Sequence, residues 1–243
     1  MKKQLLTLIC LAAIMAFSFI GIYDSQKQKW QPLDNVVKLE VTGIYGDTWE
    51  GTGFFVADDL VMTAGHMVQD ANEIKVIWSK NYKRPSYSCY KDWRYWTTFG
   101  LFRTPIQYKE PIVISWYQEP EADIGIVYIR TLEVEQNLDF DKAKLGEDCW
   151  AIGNPYGEYP ILNKGTVSAI EAPDTFLFQK DMIVVDCPLH PGNSGCPIFD
   201  MDNNVLGVCS WGYSPVMTYC VRAEVCKMVL EKYLAIKALE EVE

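Results

Sequence analysis

The chain has 243 residues, 49% of them hydrophobic, which suits one domain or two closely packed halves around a sizeable core. Its 32 acidic and 22 basic residues give a formal net charge of −10. This acidity argues against a nucleic-acid partner, because binding to phosphates needs a basic surface.

The N-terminus has the pattern of an export segment. Lys2 and Lys3 precede an uncharged, largely apolar run at residues 4–23. We expect residues 1–23 to be a signal peptide or a signal anchor. The small residues Ala16 and Ser18 suit cleavage, but the run exceeds the usual apolar region of about 7–15 residues and approaches the ~17–25 that span a bilayer. Because lysines before such a run stay in the cytoplasm, we expect the rest of the chain outside it. That location is periplasmic, extracellular or membrane-anchored.

Short strands follow a polar tether at residues 24–34. Apolar stretches separated by Gly, Asp and Asn turns lie at residues 35–41, 51–56, 59–63 and 73–78. Such spacing predicts an all-β barrel or sandwich, which we place at residues 35–130. Residues 79–120 do not continue this pattern of short strands and contain many aromatic and basic side chains. We interpret them as an insertion packed on this first barrel.

A second barrel is predicted after an acidic connector at residues 131–148. Its strands are expected near residues 149–153, 164–170, 175–179, 182–186, 196–200, 204–211 and 216–221, within residues 149–222. A closing helix is predicted at residues 223–240, because apolar residues recur there at helical spacing. The expected stripe consists of Val225, Val229, Tyr233 and Ile236.

Three residues along the chain have the types needed for nucleophilic catalysis. His66 ends an apolar strand-like run, and Asp123 opens another, where a part-buried carboxylate needs a partner. Ser194 lies in a tight polar turn at residues 190–197. A serine hydroxyl needs an adjacent base to act as a nucleophile, and His66 is one of only two histidines.

The glycines around Ser194 point to the same chemistry. Gly192 and Gly195 carry no Cβ, so backbone N–H groups of this turn can approach a substrate carbonyl closely. Fixed donors of this kind form an oxyanion hole, which stabilises the negative charge that develops in acyl transfer.

Four motifs in this order resemble the trypsin-like serine proteases, and most closely the HtrA/Deg branch. They are GTGFFV at residues 51–56 followed by TAGH at 63–66, AIGNPYG at 151–157, GTVS at 165–168, and DCPLHPGNS at 186–194. The resemblance covers roughly residues 35 to 235. It implies two six-stranded antiparallel β-barrels with a C-terminal α-helix, here preceded by an N-terminal hydrophobic helix.

The resemblance also implies residue roles. The chain would be a serine endopeptidase acting on proteins or peptides, in protein quality control or processing, with His66, Asp123 and Ser194 as its triad. The N–H groups of Gly192 and Ser194 would form the oxyanion hole. Ser210, Trp211 and Gly212 would line the strand that pairs with substrate, and Ser210 would also support Asp123.

The same resemblance also bears on specificity. Pro188 and Leu189 would form the base of the pocket for the side chain before the cut. We expect no cofactor and no metal, and a homo-oligomer is compatible with the sequence. The sequence shows no PDZ module after the closing helix, so we expect no activation through one. The competing hypothesis is a catalytically silent binding or chaperone module with this fold.

The chain has eight cysteines, and seven of them lie outside residues 4–23. An odd number cannot pair completely within one chain. No C-x-x-C motif is present, and several cysteines lie in strand-like runs. We therefore favour buried free thiols over a disulfide framework.

Overall fold

The computed structural model describes residues 35–78, 111–130, 138–158, 160–171, 181–214 and 216–240. The expected hydrophobic helix and tether at residues 1–34 lie outside these ranges. So do most of the aromatic insertion and the strand expected at residues 175–179. These expectations, and the domain boundaries drawn from them, stay predictions.

Six antiparallel strands form the first barrel in the order β4-β1-β2-β3-β6-β5. Their bounds are β1 Val36–Gly43, β2 Thr48–Ala57, β3 Leu60–Thr63, β4 Ala71–Trp78, β5 Ile112–Gln118 and β6 Gly125–Arg130. The outer strands β4 and β5 contact each other, so the sheet curls around its own apolar face. That face holds buried side chains such as Leu39, Phe55 and Val127, which pack as one core.

Strand β5 corrects the predicted extent of the insertion, because Ile112–Gln118 belongs to the barrel. The strand was hidden because both of its faces carry large apolar residues, so no period-two alternation is visible. Val113 and Trp116 pack against the core, whereas Ile112 and Ile114 are exposed.

The second barrel is closed, in the order β10-β11-β12-β9-β8-β7. Its strands are β7 Asp148–Gly153, β8 Ile161–Ala169, β9 Met182–Val185, β10 Pro197–Phe199, β11 Val205–Ser214 and β12 Met217–Arg222. Five cysteines are part of its apolar core. All six cysteines in the described ranges are buried free thiols, which agrees with the expectation.

Two α-helices are described: the one-turn helix α1 (Gly65–Val68) after β3, and helix α2 (Ala223–Glu240), which follows β12 directly. The buried face of α2 consists of Ala223, Cys226, Val229 and Tyr233. The expected stripe was therefore only partly right: Val229 and Tyr233 are buried, but Ile236 is exposed. Among the described residues, no helix is long and apolar enough to cross a membrane. The all-β fold with two six-stranded barrels and a C-terminal helix is confirmed.

Candidate active site

His66 lies on a one-turn helix, α1 (Gly65–Val68), directly after β3. Its backbone N–H donates to Asp123 Oδ1 at 2.7 Å, and its Nδ1 lies 2.8 Å from Asp123 Oδ2. The approach depends on Gly65, because a Cβ there would lie 3.0 Å from both Asp123 Oδ1 and the backbone nitrogen of Ile124. The first contact holds the backbone of His66 against Asp123, and the second orients the imidazole ring.

Asp123 precedes β6 in the turn that joins it to β5, and its side chain is 16% exposed. Ser210, on β11 of the second barrel, donates its hydroxyl to Asp123 Oδ2. The carboxylate therefore joins the two barrels. A buried carboxylate that accepts several hydrogen bonds is stable in its ionised form.

His66 and Asp123 each shift the pKa of the other side chain. Burial opposes the charged form of His66, but the hydrogen bond and charge of Asp123 outweigh it and raise the pKa of His66 above its ordinary value. Burial likewise opposes ionisation of Asp123, yet the hydrogen bonds from His66 and Ser210 lower the pKa of this carboxyl overall. Asp123 thus stays an anion at neutral pH and strengthens His66 as a base.

Ser194 is held at the mouth of a tight turn. The next residue, Gly195, has φ +85° and donates its N–H to the Cys209 carbonyl at 2.7 Å, while the Cys209 N–H donates to the Cys196 carbonyl at 2.9 Å. This is a β-bulge that begins with a left-handed glycine. A Cβ on Gly195 would lie 2.2 Å from the Thr52 carbonyl oxygen, so only glycine fits.

The Ser194 side chain lies against β11, the strand that carries Cys209 and Ser210. Its hydroxyl donates to the Ser210 carbonyl at 3.4 Å, a long hydrogen bond. Ser194 and His66 line one cleft of about 470 Å³. The structure therefore joins Asp123 to His66 and to Ser210, and it places His66 and Ser194 in one cleft. The hydrogen bond of the Ser194 hydroxyl goes to the Ser210 carbonyl and not to His66.

Within the turn of residues 190–197, the backbone N–H groups of His190, Gly192 and Ser194 have no acceptor among the described residues, and Gly192 and Ser194 also line the cleft. Their neighbours Asn193, Gly195 and Cys196 all donate to carbonyls. The Pro191 carbonyl accepts the Tyr156 N–H at 2.7 Å. Since C=O and N–H point in opposite directions in a trans peptide, the Gly192 N–H points away from Tyr156.

Residues 154–157 and Thr52 support this turn, and sequence reasoning gave them no such role. The Thr52 hydroxyl donates to the Gly192 carbonyl at 2.8 Å and accepts the Asn154 N–H at 2.8 Å. Gly192 has φ +95°, and a Cβ there would lie 2.4 Å from the Asn154 carbonyl oxygen. Both Thr52 and Asn154 belong to recognised motifs, so the signal was present without its geometry.

The expected substrate-binding residues are only partly brought together. Trp211 stacks on Tyr219 with ring centroids 4.8 Å apart, and Gly212 pairs with Thr218 of β12. Strand β10 begins at Pro197, which pairs with Val208. Residues 211–214 lie beyond the reach of β10, and among the described strands they pair with β12. Leu189 packs in the core of the second barrel, and neither it nor Pro188 lines the cleft of His66 and Ser194.

Metal binding has no candidate residues in the described part of the chain. No group of three or more His, Cys, Asp or Glu side chains there is arranged to hold a metal ion.

Comparison with known proteins places these features in context. A family model described as trypsin-like peptidase domain matches residues 51–208. Two proteins named probable periplasmic serine endoprotease DegP-like are similar to the chain. The one from Chlamydia pneumoniae is 29% identical over 166 residues, and the one from Pseudomonas putida strain GB-1 is 31% identical over 164. Each match covers 65% of this chain and 28% of the relative, so the chain spans less than a third of their length.

Solved structures share the fold. The active form of the Rv3671c protease from M. tuberculosis superposes with a TM-score of 0.59 at 21% identity, covering 79% of this chain and 78% of that one. The HtrA-type protease AlgW with tripeptide gives a TM-score of 0.62 at 18% identity, covering 83% and 60%. At these identities the likeness concerns the fold alone.

Proposed function

The chain belongs to the family of trypsin-like peptidase domains, and from this we propose that it is an HtrA/Deg-type serine endopeptidase acting through an acyl-enzyme on Ser194. One observation carries the proposal. A hydrogen-bonded chain from Ser210 through Asp123 to His66 reaches the cleft that Ser194 also lines, beside two unpaired backbone N–H groups.

In the first step, His66 takes the proton from the Ser194 hydroxyl as this oxygen attacks the substrate carbonyl. With its Nδ1–H donated to Asp123, the imidazole presents the lone pair of Nε2 to the serine. The Gly192 and Ser194 N–H groups stabilise the resulting oxyanion, and removing one such donor costs about 10²–10³-fold in rate. His66 then gives the proton to the leaving amine, and water releases the acyl group by the reverse sequence.

The substrate backbone binds along residues 210–212 of β11. The edge of this segment that faces away from β12 can pair with an extended peptide, which adds main-chain hydrogen bonds without demanding a particular sequence. Such binding suits unfolded segments of proteins and fits a role in protein quality control or processing.

Turnover of an unfolded protein tests this function. Purified residues 25–243 should degrade a reduced, carboxymethylated protein, whereas the Ser194→Ala variant should bind it and leave it intact. Binding without cleavage by both forms would contradict the proposal and favour the silent binding module.

We expect cleavage after small or medium apolar residues. This prediction comes from the resemblance, which assigns the pocket to residues 187–190, and these contain no carboxylate. Glu224, which follows the expected substrate strand in the sequence, lies at the surface 3.9 Å from Lys142. A cationic side chain in that pocket would lack a counter-charge, which is costly. Discrimination among apolar side chains should be modest, about 1–3 kcal/mol per methylene. Profiling cleavage sites in a proteome-derived peptide library measures this, and a strong preference for Lys or Arg would overturn it.

We also propose that the peptidase domain works outside the cytoplasm, released from or tethered by residues 4–23. The charge order of Lys2 and Lys3 before the apolar run supports this. In sealed inner-membrane vesicles with the cytoplasmic face outward, the domain should resist added protease until detergent is present. Digestion without detergent would contradict the proposed orientation.

A further inference from the structure

We propose that Glu119 and Lys232 are positioning residues, whose ion pair fixes the turn of residues 119–124 that carries Asp123. The inference rests on the proposed function, because it concerns the orientation of the proposed triad. Neither residue touches His66 or Ser194, so both act through Asp123.

The turn is closed at its base by Glu119. The Glu119 N–H donates to the Ile124 carbonyl at 2.9 Å, and the Ile124 N–H donates to the Ala122 carbonyl at 2.7 Å. Asp123 therefore lies inside a short loop whose two ends are joined at Glu119. A displacement of Glu119 moves the backbone from which the Asp123 carboxylate reaches His66.

The Glu119 side chain is buried, at 5% exposure, and is nevertheless surrounded by donors. Lys232 Nζ lies 3.0 Å from Oε1 and 2.9 Å from Oε2, and the Tyr117 hydroxyl donates to Oε2 at 2.9 Å. Burial opposes ionisation, but the donors from Lys232 and Tyr117 outweigh it and hold the pKa of Glu119 below its usual range. Only the carboxylate of this pair is buried, because the Lys232 side chain is 52% exposed. Removing the Lys232 ammonium would leave the buried carboxylate with the Tyr117 hydroxyl as its remaining side-chain donor, which favours a rearrangement of Glu119.

Lys232 comes from the opposite half of the molecule. It lies on α2, whose buried residues include Cys226 and Val229 and whose contacts include β11 and β12 of the second barrel. Beside the pair lies a cavity of about 250 Å³, lined among others by Ala122, Met182 and Val225. Because this cavity separates α2 from part of the turn, the ion pair is a direct connection where packing is incomplete.

The same helix supplies a matched control. Lys237 donates to Asp59 Oδ2 at 3.0 Å and lies 3.6 Å from the ring centroid of Tyr128. Lys237 thus also connects α2 to the first barrel by an ion pair, but at the turn between β2 and β3 and not at the turn that carries Asp123. Loss of either lysine removes one ion pair between α2 and the first barrel, and only one of them holds the Asp123 turn.

The kinetic test compares Lys232→Met with Lys237→Met. Lys232→Met should lower kcat about tenfold or more with little change in KM, since a small misplacement at an active site costs up to about 10²-fold. Lys237→Met should keep the kcat of the wild type. Lys232→Arg should restore activity, because a guanidinium can also donate to both carboxylate oxygens. Equal kcat losses in both Met variants at equal thermal stability would overturn the inference.

A second readout does not depend on activity. In the Ser194→Ala background, proton NMR follows the Nδ1–H resonance and the pKa of His66, which is one of two histidines. Lys232→Met should broaden this resonance and lower the pKa of His66, whereas Lys237→Met should leave both unchanged. Tyr117→Phe, which removes a single donor from Glu119, should give a smaller change in the same direction if Lys232→Met fails to fold.

The two readouts separate the inference from the function beneath it. An inactive wild type in which Lys232→Met still shifts His66 would support the positioning role and contradict the proposed peptidase. An active wild type in which His66 is unchanged by both Lys232→Met and Tyr117→Phe would overturn the positioning role and leave the peptidase intact.

Discussion

Ser194→Ala is expected to lower kcat/KM for peptide hydrolysis by about 10⁶-fold, the loss seen when a serine nucleophile of this kind is removed. In the proposed mechanism the Ser194 hydroxyl forms the acyl bond, and the Cys196 thiol of the same turn is fully buried. Alanine at position 194 keeps the backbone of the turn and removes only this hydroxyl. Substrate affinity should persist, because the edge of β11 and the N–H groups of Gly192 and Ser194 remain. Initial rates on a fluorogenic peptide chosen from the library measure the loss.

The matched control is Ser168→Ala, which removes an exposed hydroxyl on β8 and should leave the rate unchanged. A Ser194→Ala enzyme with appreciable activity in a preparation free of contaminating peptidases would contradict the assignment of the nucleophile.

Asp123→Asn is the second substitution with a large expected effect, a loss of about 10⁴-fold in kcat as in the general triad template. Asparagine keeps the shape of the side chain but can present an N–H to the His66 ring, which favours the wrong tautomer. Asp148→Asn, at the exposed start of β7, is the control and should be neutral. Near wild-type kcat for Asp123→Asn would show that another group orients the base.

The same variant should change the pH profile. Because Asp123 raises the pKa of His66, the wild type should lose activity as the pH falls through a midpoint above the ordinary 6.5. Below that midpoint His66 is protonated and cannot accept the serine proton. In Asp123→Asn the raising interaction is lost, so the residual activity should extend to lower pH. The pH dependence of kcat/KM for both enzymes measures this shift.

The positions of the barrels and of the three central residues follow from the sequence, because local patterns record them. Apolar alternation marks β1, and a serine between glycines marks the turn at Ser194. The carboxylate of Asp123 stands out because it opens an otherwise apolar strand. Each of these signals lies within a few neighbouring residues.

The features that could not be predicted from the sequence depend on contacts between segments far apart in the chain. The Thr52 hydroxyl reaches Gly192 across 140 residues, and Lys232 reaches Glu119 across 113. The motif at residues 51–56 marks Thr52 but does not reveal that its hydroxyl reaches Gly192, and nothing near Lys232 distinguishes it from an ordinary surface lysine. The resemblance alone assigned Leu189 to the specificity pocket. Its packing in the barrel core depends on strands far along the chain. Strand β5 was missed for a local reason, because both of its faces are apolar.

The central claim is that Ser194 is a nucleophile activated by His66, and covalent labelling tests it most directly. Purified residues 25–243 should react with a fluorophosphonate probe, and mass spectrometry of the digested adduct should locate the phosphonyl group on the peptide that contains Ser194. The label should be absent from Ser194→Ala and strongly reduced in His66→Ala, in which no base takes the serine proton. Labelling at another residue, or equal labelling of wild type and Ser194→Ala, would contradict the account.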